Sequence, residues 1–300
     1  MIKVQGNKFL VTGGAGFIGS HIIEELIRQG KEVVCIDDLS NGKVENVSVP
    51  VRTIELAMCP VTDLCRLLEG VDVIFHNAAS KCTVCRLDPL VDLMTNAWGS
   101  FNVFMAASNF PNIKVVHAST GSVYGECGTQ HEGQQYAPRS FYGVSKLAGE
   151  QYLRCFPGLK WAALRYFHVY GPRQDSSDKG GVIPIFINKM LQNKPVTVYG
   201  DGEQTRSFTY VKDVVNANFL AANSIEESFY NVASGVKITL NSLIDVLQSI
   251  LDVDAMVHYQ PEREGDIKNF NVDNGKITAL GLEFTDFAEG IRETIKYYDS

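Results

Sequence analysis

Tyr142 and Lys146 stand four residues apart in Ser140-Phe141-Tyr142-Gly143-Val144-Ser145-Lys146, at the start of an apolar-periodic run. On a helix their side chains share a face. An ammonium held beside a phenol favours the phenolate and lowers its pKa, which makes tyrosine a usable base near neutral pH. Ordinary amphipathic helices produce the same spacing often, so its meaning depends on its surroundings. Upstream, Ala118-Ser119-Thr120-Gly121-Ser122 sets hydroxyls beyond a short apolar run. Thr120 could donate a hydrogen bond to a reacting oxygen while Tyr142 exchanges its proton. Ser119 and Ser122, on residue type alone, are expected to bond local backbone.

The preceding segments can build a cofactor site. Lys8 to Thr12 reads as a strand, followed by Gly13-Gly14-Ala15-Gly16-Phe17-Ile18-Gly19 and a helical pattern through Ile22, Ile23, Leu26 and Ile27 that stops at Gly30. Gly13 would permit the tight turn, Gly16 the approach of a pyrophosphate, and Gly19 close helix packing, while the helix N-terminus supplies amides. A second strand, Glu32 to Ile36, ends in Asp37-Asp38 before the turn Ser40-Asn41-Gly42. An acid there accepts from ribose hydroxyls and repels a 2'-phosphate, favouring NAD over NADP; a turn-capping acid would look the same. Val51 to Glu55 and Val71 to His76 read as strands around a helix at Asp63–Glu69, an alternation that predicts a parallel sheet covered on both faces. His76 reads as a core histidine. Asn77-Ala78-Ala79 follows it at a carboxyl strand end. A single helix is expected over Pro89–Asn109, apolar on more than one face and so able to cover both the sheet and a partner subunit. Asn96 is an odd polar residue within it. Strands are expected at Ile113–His117 and Lys160–Phe167.

Three hundred residues suggest one large or two modest domains. The formal charge of -7 disfavours nucleic acid and anionic membranes as partners. No apolar run could span a bilayer and no secretory pattern opens the chain, so a cytoplasmic protein is expected. The seven cysteines (35, 59, 65, 82, 85, 127, 155) read as reduced thiols. Cys82-Thr83-Val84-Cys85 is the one local pair, with no second pair at metal-ligand spacing.

Together these residues resemble the extended short-chain dehydrogenase/reductase superfamily, and within it the nucleotide-sugar 4-epimerases. The likeness covers nearly the whole chain: Gly13 to Gly19, Asp37, Asn77-Ala78-Ala79, Lys81, Asn96, Ser119-Thr120, Tyr142 with Lys146, Leu164-Arg165-Tyr166-Phe167, Val169-Tyr170-Gly171-Pro172-Arg173, Gly200-Asp201-Gly202 and Arg206. It implies a Rossmann α/β fold: a doubly wound parallel sheet over 1–170, a smaller C-terminal α/β substrate lobe over 171–300, and part of 207–233 returning to the sheet. It implies NAD as cofactor, held by Gly13, Gly16, Phe17, Ile18, Gly19, Asp37, Asn41, Ala78, Lys81, Asn96, Tyr142 and Lys146. Tyr142 would be the base, Thr120 its partner and Lys146 the ribose-binding group, with no metal. A homodimer through a four-helix bundle is implied too, using the Pro89–Asn109 helix and the one beginning near Tyr142.

For a UDP-sugar the resemblance implies Thr120, Ser122, His168, Val182, Tyr199, Arg206, Arg263, Asp266 and Phe270. A net-negative protein that holds a diphosphate needs fixed guanidinium donors, and Arg206 and Arg263 are the candidates; Asp266 would accept from the uridine ribose. Three positions depart from the family pattern: Ala57 where an adenine-reading Asp is usual, His168 for Asn, and Ser207 for Asp. The expected reaction is 4-epimerisation of UDP-glucose/UDP-galactose through a 4-keto sugar. The UDP-N-acetylglucosamine pair ranks second, because Phe270 falls where bulk favours plain hexoses. Gly121-Ser122 replaces the Asp-Glu pair of the dehydratases, and Asp175 stands where uronate epimerases carry an arginine nearby. A catalytically idle NAD-binding regulator is the non-enzyme alternative; it would have no need to keep Thr120, Tyr142 and Lys146 together.

Overall fold

Four of the apolar runs become strands buried on both faces, as parallel sheets require. The structure, a computed structural model, describes residues 1–178, 180–262 and 271–299. Its main sheet has β1 (Lys8–Thr12), β2 (Glu32–Asp37), β3 (Val51–Thr53), β4 (Val73–His76), β5 (Lys114–Thr120), β6 (Lys160–Tyr166) and β7 (Ser228–Val232). Their order is β7-β6-β5-β4-β1-β2-β3, with every neighbouring pair parallel. This is a doubly wound Rossmann sheet.

The pleat divides the core in two. Phe9, Val11, Phe75, Val116, Ala162 and Leu164 point to one face, where α1 (Phe17–Arg28) brings Ile22, Ile23 and Leu26. Leu10, Ile74, Val115 and Ala163 point to the other, where α2 (Val61–Leu67) brings Leu64. Residues i and i+2 share a side and i+1 takes the opposite one.

α3 (Cys82–Cys85), α4 (Pro89–Asp92) and α5 (Ser100–Ala107) follow β4, and α6 (Phe141–Cys155) follows β5. The helix expected over Pro89–Asn109 is an unbroken helical run that ends at Ala107, made of α4, a π-helical stretch at Leu93–Gly99, and α5. Asp88 caps the N-terminus of α4 through the amides of Leu90 and Val91. Asn96 lies within the π-helical stretch, a geometry frequent at functional sites. Two strand boundaries also move. β5 continues to Thr120, so the hydroxyl cluster begins inside the strand, and β3 stops at Thr53.

Among the described residues the remaining α-helices are α7 (Val182–Leu191), α8 (Val211–Asn223), α9 (Leu240–Leu251), α10 (Gly275–Ala279) and α11 (Phe287–Tyr298), with four small two-stranded sheets beside them. α8 covers the α1 face of the sheet, and Ile277 of α10 is buried there too. A separate apolar cluster joins Ile183, Phe186 and Ile187 of α7 to Val196, Val198, Leu243, Leu247, Ile291 and Ile295. Phe17 and Ile18 pack against this second cluster from the start of α1, linking the two cores next to the glycine loop. Among the described residues no helix is long and apolar enough to cross a membrane.

Candidate active site

The strand order reverses between β1 and β4, the place where open α/β sheets bind ligands beyond their carboxyl ends. The loops after these strands touch. Gly13 has φ +63°, and a Cβ there would lie 2.7 Å from the backbone nitrogen of Ala78. A Cβ on Gly19 would lie 2.2 Å from the Gly13 carbonyl oxygen. Side chains are thus excluded on the inner side of the turn, and α1 begins directly against it. Asp37, at the end of β2, accepts from the amides of Ala15 (3.0 Å) and Leu39 (2.8 Å), which fixes its carboxylate beside the glycine loop. Burial holds that carboxyl above its ordinary value. Asn41 is exposed on the adjoining turn.

α6 carries Tyr142 and Lys146. Ser140 caps it by accepting from the Gly143 amide at 3.0 Å. Gly143 lets the helix approach the turn after β5, since a Cβ there would stand 2.7 Å from the Ser122 carbonyl oxygen. This close approach brings the Tyr142 hydroxyl beside the Thr120 side chain. Thr120 Oγ1 also lies 3.2 Å from Ser122 Oγ and accepts from the Ser122 amide. Ser119 points the other way and donates to Glu150 at 2.6 Å, a side chain rather than the local backbone expected.

Lys146 is buried, and its Nζ has no hydrogen-bond partner. Burial pulls its ammonium down to about 8, against the carboxylates of Glu150 and Asp92. Here the sequence reading needs correction: the Tyr142 phenol is pushed above its ordinary value by burial, and what opposes burial is the Thr120 side chain. Burial outweighs the neighbouring groups in setting the phenol's acidity in this arrangement.

His76 is the core histidine expected. Ser100 donates to the Asn96 carbonyl at 2.6 Å, so its oxygen accepts from His76 Nε2, 2.9 Å away, and Nδ1 accepts from Thr12 at 2.7 Å. His117 stacks on it with ring centroids 5.2 Å apart, and neither of its ring nitrogens is bonded.

Two residues expected to line the cofactor pocket are otherwise engaged. Asn96 is fully buried: its Oδ1 accepts from the Ser80 amide (2.8 Å), and its Nδ2 donates to Asp92 (2.6 Å) and Ser145 (3.2 Å). It ties the loop after β4 to α6 as part of the wall. Lys81 reaches Asp175 at 3.0 Å. That ion pair also changes what Asp175 can do: its charge is compensated, so it is a weaker obstacle to an acidic sugar than its sequence position suggested.

On the substrate side, His168 has φ +39° and lies beside Arg206. Burial, helped by that guanidinium, lowers the imidazole to about 3 and keeps it neutral. Ser207, where an Asp was usual, accepts from the Gly235 amide at 3.1 Å. Val182 opens α7 and Tyr199 ends the strand Val196–Tyr199, both half-buried. Ala57 lies past β3, and its carbonyl accepts from the Trp98 indole at 3.0 Å. Arg263, Asp266 and Phe270 lie outside the described residues.

Sequence reading missed the buried polar layer beneath the site. Asp92 accepts from Asn96 and Cys85, and Glu150 holds Arg165 and Ser119. Arg165 was legible only as part of a strand. The one available signal was polar residues recurring at core-facing positions of apolar periods.

A glycine cradle, a fixed strand-end carboxylate and an orphaned buried ammonium suit a dinucleotide, and the unbonded buried amide of Asn77 adds another polar group at the same crevice. Residues 9–233 match the NAD dependent epimerase/dehydratase family, and the chain belongs to it. The cofactor of this family is NAD, and its homologues include UDP-sugar epimerases. The putative UDP-glucose 4-epimerase of Methanocaldococcus jannaschii is 36% identical over 298 residues, covering 96% of this chain and 97% of that protein. The UDP-N-acetylglucosamine 4-epimerase of Methanobrevibacter ruminantium, solved with UDP-N-acetylmuramic acid, superposes with a TM-score of 0.94 at 37% identity, covering 99% of each chain. The UDP-glucose 4-epimerase of Thermus thermophilus, solved with NAD, gives a TM-score of 0.90 at 36% identity over 98% of this chain and 99% of that one.

Proposed function

We propose that the protein is an NAD-dependent UDP-hexose 4-epimerase that interconverts UDP-glucose and UDP-galactose. The observation that carries this reading is the meeting of the Tyr142 hydroxyl with the Thr120 side chain, one helical turn from the unpartnered Lys146 ammonium. Bound NAD supplies a two-electron acceptor for the hydrogen on the sugar's C4 and a cationic ring that favours the phenolate. Tyr142 takes the proton of the 4-hydroxyl, with Thr120 holding that oxygen in line. Lys146 binds the nicotinamide ribose and adds positive charge near the phenolate. The 4-keto sugar turns over, and Tyr142 returns the proton to the oxygen of the other epimer. Asp37 accepts from the adenosine ribose hydroxyls, Arg206 pairs with the diphosphate, and neutral His168 meets the sugar as donor or acceptor.

The relative solved with UDP-N-acetylmuramic acid supports a second reading, a UDP-N-acetylhexosamine substrate on the same machinery. Incubation of the purified protein with UDP-galactose, and separately with UDP-N-acetylgalactosamine, decides between them by which 4-epimer forms. Tyr142→Phe should lower turnover roughly 100- to 10,000-fold without loss of folding. Full activity in that variant would remove the mechanism.

A homodimer fits the surface. Leu90, Val91 and Trp98 along Pro89–Gly99, and Phe141, Val144 and Tyr152 on α6, are exposed apolar side chains. They form two adjacent helical faces suited to a four-helix bundle with a second copy.

A further inference from the structure

The cysteine pair beside the reactive tyrosine has no part in epimerisation, yet the structure gives its two thiols different roles. Cys82 and Cys85 are the first and last residues of the single-turn helix α3. Helical spacing sets their Cα atoms about 5 Å apart, inside the range a disulfide spans. Cys82 is exposed and Cys85 is buried. The Cys85 thiol donates to the Asp92 carboxylate at 2.6 Å and lies 3.0 Å from the Lys81 carbonyl oxygen. An accessible sulfur, a buried sulfur one turn away and a carboxylate at the buried one are the parts of a dithiol that can close on itself. Among the described residues no group of three or more His, Cys, Asp or Glu could hold a metal ion.

We propose that Cys82 and Cys85 form a reversible disulfide through exchange with a small-molecule disulfide, and that its closure lowers the activity of the adjacent site. The Cys82 thiolate attacks one sulfur of R–S–S–R; a Cys82–S–S–R bond forms, and the departing R–S⁻ takes up the proton Cys82 gave up. Cys85 then attacks the Cys82 sulfur while its proton passes to Asp92. The second R–S⁻ leaves and collects that proton. Two protein thiols are oxidised by two electrons, and one R–S–S–R is reduced to two R–SH.

Closure withdraws the Cys85 donor from Asp92, which also holds Asn96, and Asn96 in turn secures Ser80 and Ser145. Ser145 donates to the Tyr142 carbonyl oxygen at 3.0 Å. The disulfide therefore acts on the reactive tyrosine through a continuous chain of bonds. Although Cys82 is an exposed residue, partial desolvation of its sulfur holds the thiol above its ordinary value, with Arg86 opposing, and burial pushes Cys85 to about 12, so exchange should need minutes to hours.

The test is to incubate the NAD-loaded protein with oxidised glutathione, block free thiols, and map peptides by mass. The expected product is a peptide containing residues 82–85 that is lighter by two hydrogens and is restored by dithiothreitol. Cys85→Ser should instead accumulate glutathione on Cys82, and Cys82→Ser should form neither product. Glutathione on Cys82 of the unsubstituted protein with Cys85 still free, or no change at either residue, overturns the pairing. The effect on activity rests on the epimerase reading. UDP-hexose turnover should fall roughly tenfold in the oxidised form and recover on reduction, and unchanged turnover in a fully closed sample overturns that part. If neither redox form converts any UDP-hexose, the epimerase reading fails while the peptide result stands.

Discussion

Glu150 holds the guanidinium of Arg165 in a two-pronged grip, Nε to Oε1 at 2.8 Å and Nη2 to Oε2 at 2.7 Å, with both side chains fully buried. Glu150 is one turn beyond Lys146 on α6, and Arg165 lies on β6. Arg165 also donates to Tyr124 at 2.7 Å and sits over the rings of Tyr124, Tyr136 and Phe229. The pair anchors to the sheet the helix that carries Tyr142 and Lys146. Glu150→Gln leaves a guanidinium buried without its counter-charge and should destabilise the protein by about 3–5 kcal/mol. Urea unfolding measures this. The double replacement Glu150→Leu with Arg165→Met should recover most of the loss, because no uncompensated charge remains.

On the proposed reading, Lys146 makes NAD binding depend on pH. Its ammonium is lowered to about 8 and has no partner, whereas ribose hydroxyls would favour the charged form. Binding should therefore take up a proton near and above pH 8, and NAD affinity should fall as pH rises from 8 to 9.5. Lys146→Met should bind NAD roughly 10- to 100-fold more weakly, with that pH dependence gone. Calorimetry at several pH values reads both effects.

The same shift affects the stability of the NAD-free protein in a defined direction. Between about 8 and the ordinary lysine value the unfolded chain binds a proton that the folded chain does not, so stability rises with pH across that window. Lys146→Met should therefore be more stable than the unsubstituted protein at pH 7, by about 3 kcal/mol, and the gap should close toward pH 10. Thermal unfolding of both proteins is the check.

Three buried histidines and the half-buried His168 limit stability in acid. His21 is lowered to about 4, His76 and His168 to about 3, and His117 well below its ordinary value, each chiefly by burial. In the unfolded chain all four take protons below about pH 6.5. Stability is thus fully present above that pH and declines as pH falls toward 4, by roughly 1.4 kcal/mol per pH unit for each histidine. His76→Gln should flatten the decline, although the lost packing lowers stability at neutral pH.

The exposed apolar face of α6 predicts the assembly. Val144→Glu should leave the fold unchanged and convert a dimer to monomers at micromolar concentration, as sedimentation would show. A monomeric unsubstituted protein would remove the four-helix interface.

The parts legible in sequence are those written in consecutive residues. Phe9-Leu10-Val11 is apolar without interruption because a central parallel strand is covered on both sides. The glycines at 13, 16 and 19 and the cap at Ser140 are local devices with local signatures. The polar layer beneath the site was not legible, because Asp92 and Glu150 look like solvated helical residues until Asn96, Cys85 and Arg165 are brought to them. Lys81 and Asp175 meet across a separation of 94 residues, which no periodicity reports. The acidity of Tyr142 was misjudged because burial, a property of the whole fold, outweighs a neighbour read from spacing.

The chain leaves the sheet at Tyr166 and supplies its last strand only at Ser228. During synthesis at about 5–20 residues per second, β6 must wait several seconds for its outer neighbour. Through that interval its backbone amides and carbonyls are open along one side, as in any unpaired border strand. The nascent polypeptide on the ribosome, rather than the folded protein, is therefore where association with a foreign strand is easiest.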